Sequence, residues 1–275
     1  MTPWLRGIQT MGCLLVCASV LLGFAGLAGL VIGLVSSSPK ITIAVSSEDL
    51  RFSSLNAVYV AAVAGIVAYG LFRGRRWGWD GAFCVAAWCA PGGLMALLVG
   101  INNGGLEGGV FAALGAASAV WAVTALWYLL RRKVQAPFTV DPDANRPQLP
   151  LGVRLIAAYS LILSGARLLE LASPTPPLFF GLAVQGFVMP LYAISMAALS
   201  LYIGYGLYRM RERARQCAIA VAALWGLESV SWVVLPQRSW STPPFRWIAV
   251  GAAVIGVGVA MVMTWYLVTR RKGFT

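Results

Sequence analysis

Tyr69-Gly70-Leu71-Phe72-Arg73-Gly74-Arg75 is answered 136 residues later by Tyr205-Gly206-Leu207-Tyr208-Arg209-Met210-Arg211. A second landmark recurs at 138 residues: Trp127-Tyr128-Leu129 with Arg131-Arg132-Lys133 is matched by Trp265-Tyr266-Leu267 with Arg270-Arg271-Lys272. In each, the end of an apolar run meets an arginine cluster, the pattern of a membrane helix leaving the bilayer on its positively charged side. Two landmarks at nearly one offset predict a chain built from one unit used twice.

The surrounding sequence agrees with a lipid environment. Of 275 residues, 59% are hydrophobic and only 11% charged, and the mean hydropathy is +0.78, which no ordinary soluble domain shows. The net charge of +12 sits in short loops between apolar runs, so it reports topology and not a nucleic-acid partner. The absence of histidine removes the commonest haem, zinc and copper ligand together with the commonest general base. No metal and no cofactor is expected.

Eight apolar runs approach the roughly 20 residues that a helix needs to span a bilayer. They lie near Ile8 to Val35, Leu55 to Phe72, Ala82 to Val99, Gly109 to Leu130, Leu151 to Ala172, Phe187 to Tyr208, Ala214 to Leu235 and Trp247 to Val268. The first is too long for a secretory h-region and reads as a span. The expected fold is therefore an all-α polytopic membrane protein with eight transmembrane helices, arranged as a tandem, parallel duplication of a four-helix unit. Residues 1–136 form the first unit, 137–150 a cytoplasmic linker rich in proline (Pro137, Pro142, Pro147, Pro150), and 151–275 the second unit.

Orientation follows from the basic residues. One side holds sixteen of them: Arg6; Arg73, Arg75, Arg76; Arg131, Arg132, Lys133, Arg146, Arg154; Arg209, Arg211, Arg213, Arg215; and Arg270, Arg271, Lys272. The other holds five, Lys40, Arg51, Arg167, Arg238 and Arg246. Both termini are expected in the cytoplasm, in an inner or plasma membrane. On the outer side, Lys40-Ile41-Thr42-Ile43-Ala44-Val45 alternates as a short extended segment would, and Ser173-Pro174-Thr175-Pro176-Pro177 reads as a rigid turn. Trp77 and Trp79 inside, and Trp240 and Trp247 outside, fit an aromatic belt.

Chemistry-bearing candidates are few. Cys13, Cys17, Cys84, Cys89 and Cys217 all lie in or beside apolar runs and imply no disulfide framework. Gly29 with Gly33, Ala112 with Ala116, and Ala252 with Gly256 are small residues four apart, a spacing that lets helices approach closely. Pro91-Gly92-Gly93 in the third run predicts a kink. Arg167 and Glu228 are the ionisable residues well inside runs, roughly 8 and 10 Å from their outer ends, with Glu170 nearer the edge. A charge in hydrocarbon is costly unless paired, so the three form a candidate buried ion pair or ligand site, with Arg167 and Glu228 expected within ion-pair distance or meeting through one water or through Glu170. Copy one places Ser19 and Gly92 at the equivalent positions and lacks both charges. No hydrolase base, paired membrane aspartates, membrane lysine or nucleotide loop is present, so no catalytic set emerges. The expected function is non-enzymatic: an accessory or packing subunit of a larger membrane assembly, whose partners are the bilayer and other membrane subunits. The alternative is a small-solute or lipid transporter with its site between the two copies.

A reporter cysteine at Asn145, in a background lacking the five native cysteines, should react with an impermeant thiol reagent only after the membrane is opened from the cytoplasmic side. Labelling of intact cells would reverse the orientation.

Overall fold

The computed structural model describes residues 3–35, 47–103, 105–131, 134, 149–173, 178–179, 182–234, 243–271 and 274. The linker up to Gln148, the Lys40 to Val45 segment, the Pro174 to Pro177 turn and Trp240 lie outside the described residues. An apolar segment in lipid has no solvent for its peptide groups, so each run closes its hydrogen bonds on itself as a helix. The helices are α1 (Pro3–Val35), α2 (Ser47–Phe72), α3 (Arg76–Asn103), α4 (Gly105–Leu129), α5 (Leu151–Leu169), α6 (Val188–Tyr208), α7 (Glu212–Val234) and α8 (Pro243–Thr269). A 3-10 turn, Glu170–Ala172, continues α5. Two short strands, β1 (Leu178–Phe179) and β2 (Leu182–Ala183), pair antiparallel before α6.

The sequence predicts eight spans; over the described residues five are long and apolar enough to cross a membrane. They are Gly7–Phe24, Arg51–Phe72, Ala112–Leu129, Leu151–Ala172 and Val188–Tyr208. The other three predicted runs are also helical. However, α3 and α7 open with charged residues, Arg76 and Asp80 in one and Glu212, Arg213 and Arg215 in the other, and α8 supplies a shorter apolar stretch, Ala253–Thr269. Among the described residues the regular structure is helical apart from the short hairpin, with the helix pattern of a multi-pass membrane protein.

The chain divides into two compact units, Met1–Gly29 with Ala57–Pro147, and Leu30–Asn56 with Gln148–Thr275. In the first, Ser19 Oγ of α1 donates to the Ala61 carbonyl of α2 at 2.7 Å, and α3 lies against α4. In the second, α5 packs on α6, α6 on α7, α7 on α8 and α8 back on α5, closing a ring of four. Its core at the basic end, Val153, Ile156, Ala157, Ile203, Leu207, Ala218 and Leu267, draws on all four helices.

Alanines make up much of the interior beside a few large buried residues, and many large side chains face out. Ala68, Ala86, Ala122, Ala157, Ala193 and Ala214 are all fully buried, whereas Leu21, Phe24, Val120 and Trp265 are each at least 66% exposed. In water this arrangement would forfeit most of the hydrophobic driving force; in lipid, tails are as apolar as leucine and close backbone approach decides which faces meet. α3 and α4 approach backbone to backbone. A Cβ on Gly93 would stand 2.7 Å from the Ala119 nitrogen and 2.8 Å from the Gly115 oxygen, and one on Gly115 would stand 2.6 Å from the Gly93 oxygen. The Pro91-Gly92-Gly93 stretch, where the sequence predicts a kink, lies within the continuous helix α3, and Gly93 serves contact with α4.

The two arginine-rich turns are built alike. After α2, the Arg75 amide donates to the Gly70 carbonyl at 2.8 Å and the Gly74 amide to Leu71 at 3.0 Å. After α6, the Arg211 amide donates to Gly206 at 2.9 Å and the Met210 amide to Leu207 at 3.0 Å. Both are Schellman closures, which need a left-handed residue after the helix. Gly74 supplies it at φ 61° and Met210 at φ 53°. Met210 tolerates this conformation because its side chain packs on the second unit's core, whereas Gly74 has nothing around it and depends on lacking a Cβ.

Gly115→Leu should destabilise the protein by at least about 3 kcal/mol, the upper end of overpacking effects, because the obstructing atoms are backbone. Gly74→Ala should cost about 1 kcal/mol through backbone strain alone. Thermal unfolding in detergent checks both, and a Gly115→Leu protein as stable as the parent would refute the seam.

Candidate functional site

At the outer end of α5, Arg167 and Glu170 are brought together by the 3-10 continuation, which keeps the helical i,i+3 relation past Leu169. Arg167 Nη1 donates to Glu170 Oε1 at 2.5 Å. The sequence expects Arg167 to meet Glu228 directly or through one water or Glu170; in the structure Glu170 takes the guanidinium and no direct Arg167–Glu228 ion pair forms. A partner one turn away on the same helix needs no reach across the bundle. Glu228 on α7 remains within electrostatic range of Arg167, Glu170 and Tyr192. The Phe179 ring of β1 lies 5.6 Å from the Tyr192 ring, tilted by 58°, and so borders this group.

The pair leaves hydrogen-bonding capacity unused. Arg167 Nε and Glu170 Oε2 are buried with no hydrogen-bond partner among the described residues. An open donor and an open acceptor side by side, with a further carboxylate in range, can receive a small polar group.

A second charged constellation, at the start of α7, escapes sequence reading because Arg215 looks like one more topological arginine. It is buried, at 6% exposure. Arg215 Nε and Nη2 donate to the two Glu212 carboxylate oxygens at 2.7 and 2.5 Å, and Nη1 donates to the Leu267 carbonyl at 2.9 Å. Leu267 lies near the end of α8, where carbonyls lack partners further along the helix, so the guanidinium ties the start of α7 to the end of α8. The Phe274 ring lies 5.8 Å from the guanidinium carbon. The hydrogen bonds from Arg215 hold the Glu212 carboxyl below the usual carboxylate range. The Glu-x-x-Arg spacing was the available signal; the burial of its arginine was not.

The remaining predicted features separate from these clusters. Cys84 is buried, Cys13 and Cys17 are exposed, Cys89 and Cys217 are half-buried, and all five are free thiols. Among the described residues no group of three His, Cys, Asp or Glu could hold a metal ion. Of the predicted small-residue seams, Gly256 meets Ser229 across α7 and α8. No known family, no curated protein and no solved structure matches the chain.

Arg215→Leu should destabilise the second unit by about 1–3 kcal/mol, since it strands the buried Leu267 carbonyl. Because the folded-state titration of Glu212 is lowered, its contribution is complete above pH 4.5 and lost as the pH falls below that value. Thermal midpoints at pH 7 and pH 4 should therefore differ more for the parent than for Glu212→Gln; equal pH dependence would count against the clamp.

Proposed function

We propose that the chain is a non-enzymatic integral membrane protein of an inner or plasma membrane, an accessory and packing subunit of a larger membrane assembly. The observation that supports this best is the distribution of side chains: alanine and glycine make up much of the buried helix contacts, while many large aliphatic and aromatic residues face outward. Such faces suit lipid or the helices of other subunits. Arg215, meanwhile, directs its hydrogen bonds to its own chain, as Arg167 does through Nη1.

In this reading the chain is a tandem, parallel duplication of a four-helix unit that crosses the bilayer eight times, with both termini cytoplasmic. Three parallels support the duplication. The Schellman turns at Gly74 and Met210 stand 136 residues apart with the same hydrogen bonds. In both Trp-Tyr-Leu landmarks the tryptophan faces out and the leucine is buried, for Trp127 and Leu129 as for Trp265 and Leu267. Between them, Tyr128 covers Gly7 at the start of α1, and Tyr266 covers Gly152 at the start of α5.

A second reading, a small-solute or lipid transporter, is favoured by one feature: the open Arg167 Nε and Glu170 Oε2 with Glu228 in range. Purification from the native host in mild detergent, followed by mass determination, separates the two. An accessory subunit should migrate with partner chains, well above its own 29.3 kDa plus detergent. A lone chain whose Glu228→Gln variant keeps its thermal stability but loses solute binding would make it the transporter.

A further inference from the structure

The turn between α6 and α7 concentrates positive charge in a way that its single carboxylate does not balance. Arg209, Arg211 and Arg213 are all exposed and lie within five residues. Glu212, in their midst, has both oxygens engaged by the buried Arg215. Among the described residues no carboxylate lies within ion-pair distance of the three exposed guanidiniums. Two of them are gathered on one ring: the guanidinium carbons of Arg209 and Arg211 stand 5.4 and 5.9 Å from the centroid of Tyr205. Tyr205 is itself 49% exposed at the end of an apolar helix, the level at which interfacial aromatics meet lipid headgroups.

We propose that this turn is a docking site for an anionic phospholipid headgroup, its phosphate held by Arg209, Arg211 and Arg213. The Schellman closure fixes the backbone beneath the arginines, and the Tyr205 ring holds two of the guanidiniums by cation–π contact while their N–H groups stay free to donate to phosphate oxygens. The acyl chains of the same lipid would lie along the outward apolar residues of α6, of which Leu201 is 54% and Ile194 51% exposed. That continuity, from a basic headgroup-level cluster to an apolar helix face, favours a lipid over a free anion. The turn after α2 offers a weaker version. There Arg73 sits 5.6 Å from the Tyr69 centroid with Arg75 exposed beside it, two guanidiniums in place of three. The proposal rests on the chain spanning a bilayer, and it is independent of whether the protein is an accessory subunit or a transporter.

Native mass spectrometry of the full-length protein in detergent, titrated with phosphatidylglycerol and with phosphatidylcholine, tests it. Phosphatidylglycerol should bind more tightly than phosphatidylcholine. The variant Arg209→Gln/Arg211→Gln/Arg213→Gln should weaken it by at least tenfold, given roughly fivefold for each basic residue at an anionic surface. Tyr205→Leu, which keeps every charge, should weaken it by a smaller factor. Neutralising Arg131, Arg270 and Arg271 instead leaves the turn intact and should have little effect; an equal loss there would mean diffuse attraction and overturn the site. Displacement of the lipid by glycerol phosphate at comparable concentration would assign the turn to a soluble anion and overturn the lipid reading. Unchanged thermal stability of the triple variant in zwitterionic detergent excludes misfolding as the cause of lost binding, and Arg209→Lys/Arg211→Lys/Arg213→Lys, retaining the charge, should recover most of it.

Discussion

Backbone meeting backbone at Gly93 and Gly115 is the constraint from which much of this molecule follows. In a lipid solvent apolar side chains gain nothing by leaving one hydrocarbon surface for another, so helix association depends on contact area and proximity. Glycine and alanine supply both, and the same logic recurs where Gly204 lies against Leu161 and where Gly206 meets Ala214. Wherever a small residue is required at such a crossing, a large one is displaced to the outside. The outward leucines, valines and tryptophans are thus a consequence of the seams and not a separate feature.

Charge is handled with similar economy. The buried Arg215 would be costly alone, but it finds two carboxylate oxygens and a helix-end carbonyl within 3 Å. In engaging Glu212 it removes the only counter-charge within the turn and leaves Arg209, Arg211 and Arg213 facing outward uncompensated. A stabilising contact on one side of the turn thereby determines the electrostatics of the other. Arg167 follows the same rule less completely: Glu170 satisfies Nη1, while Nε remains open.

The two arginine-rich turns show how one backbone solution tolerates different residues. Gly74 adopts the left-handed conformation because nothing opposes it, and Met210 adopts it because its side chain is held by the core of its unit. A reader of the sequence, seeing glycine in one place and methionine in the other, would not infer the same turn. The hydrogen bonds are nevertheless the same.

The sequence by itself determined the helical class, the approximate places of the helical runs, and the crowding of arginines at particular turns, because hydropathy and charge are properties of local runs and lipid leaves a polypeptide few alternatives to a helix. It also determined that Arg167 needs a partner. It did not determine which one: Glu170 and Glu228 have the same chemistry, and only the 3-10 continuation of α5 brings Glu170 to 2.5 Å. Likewise Arg215 reads as a solvated topological charge until tertiary structure places it under the end of α8, and the packing of Gly93 against α4 is visible only once the helices meet. Partner choice depends on distances between residues far apart in the chain, and those distances arise only when the helices pack.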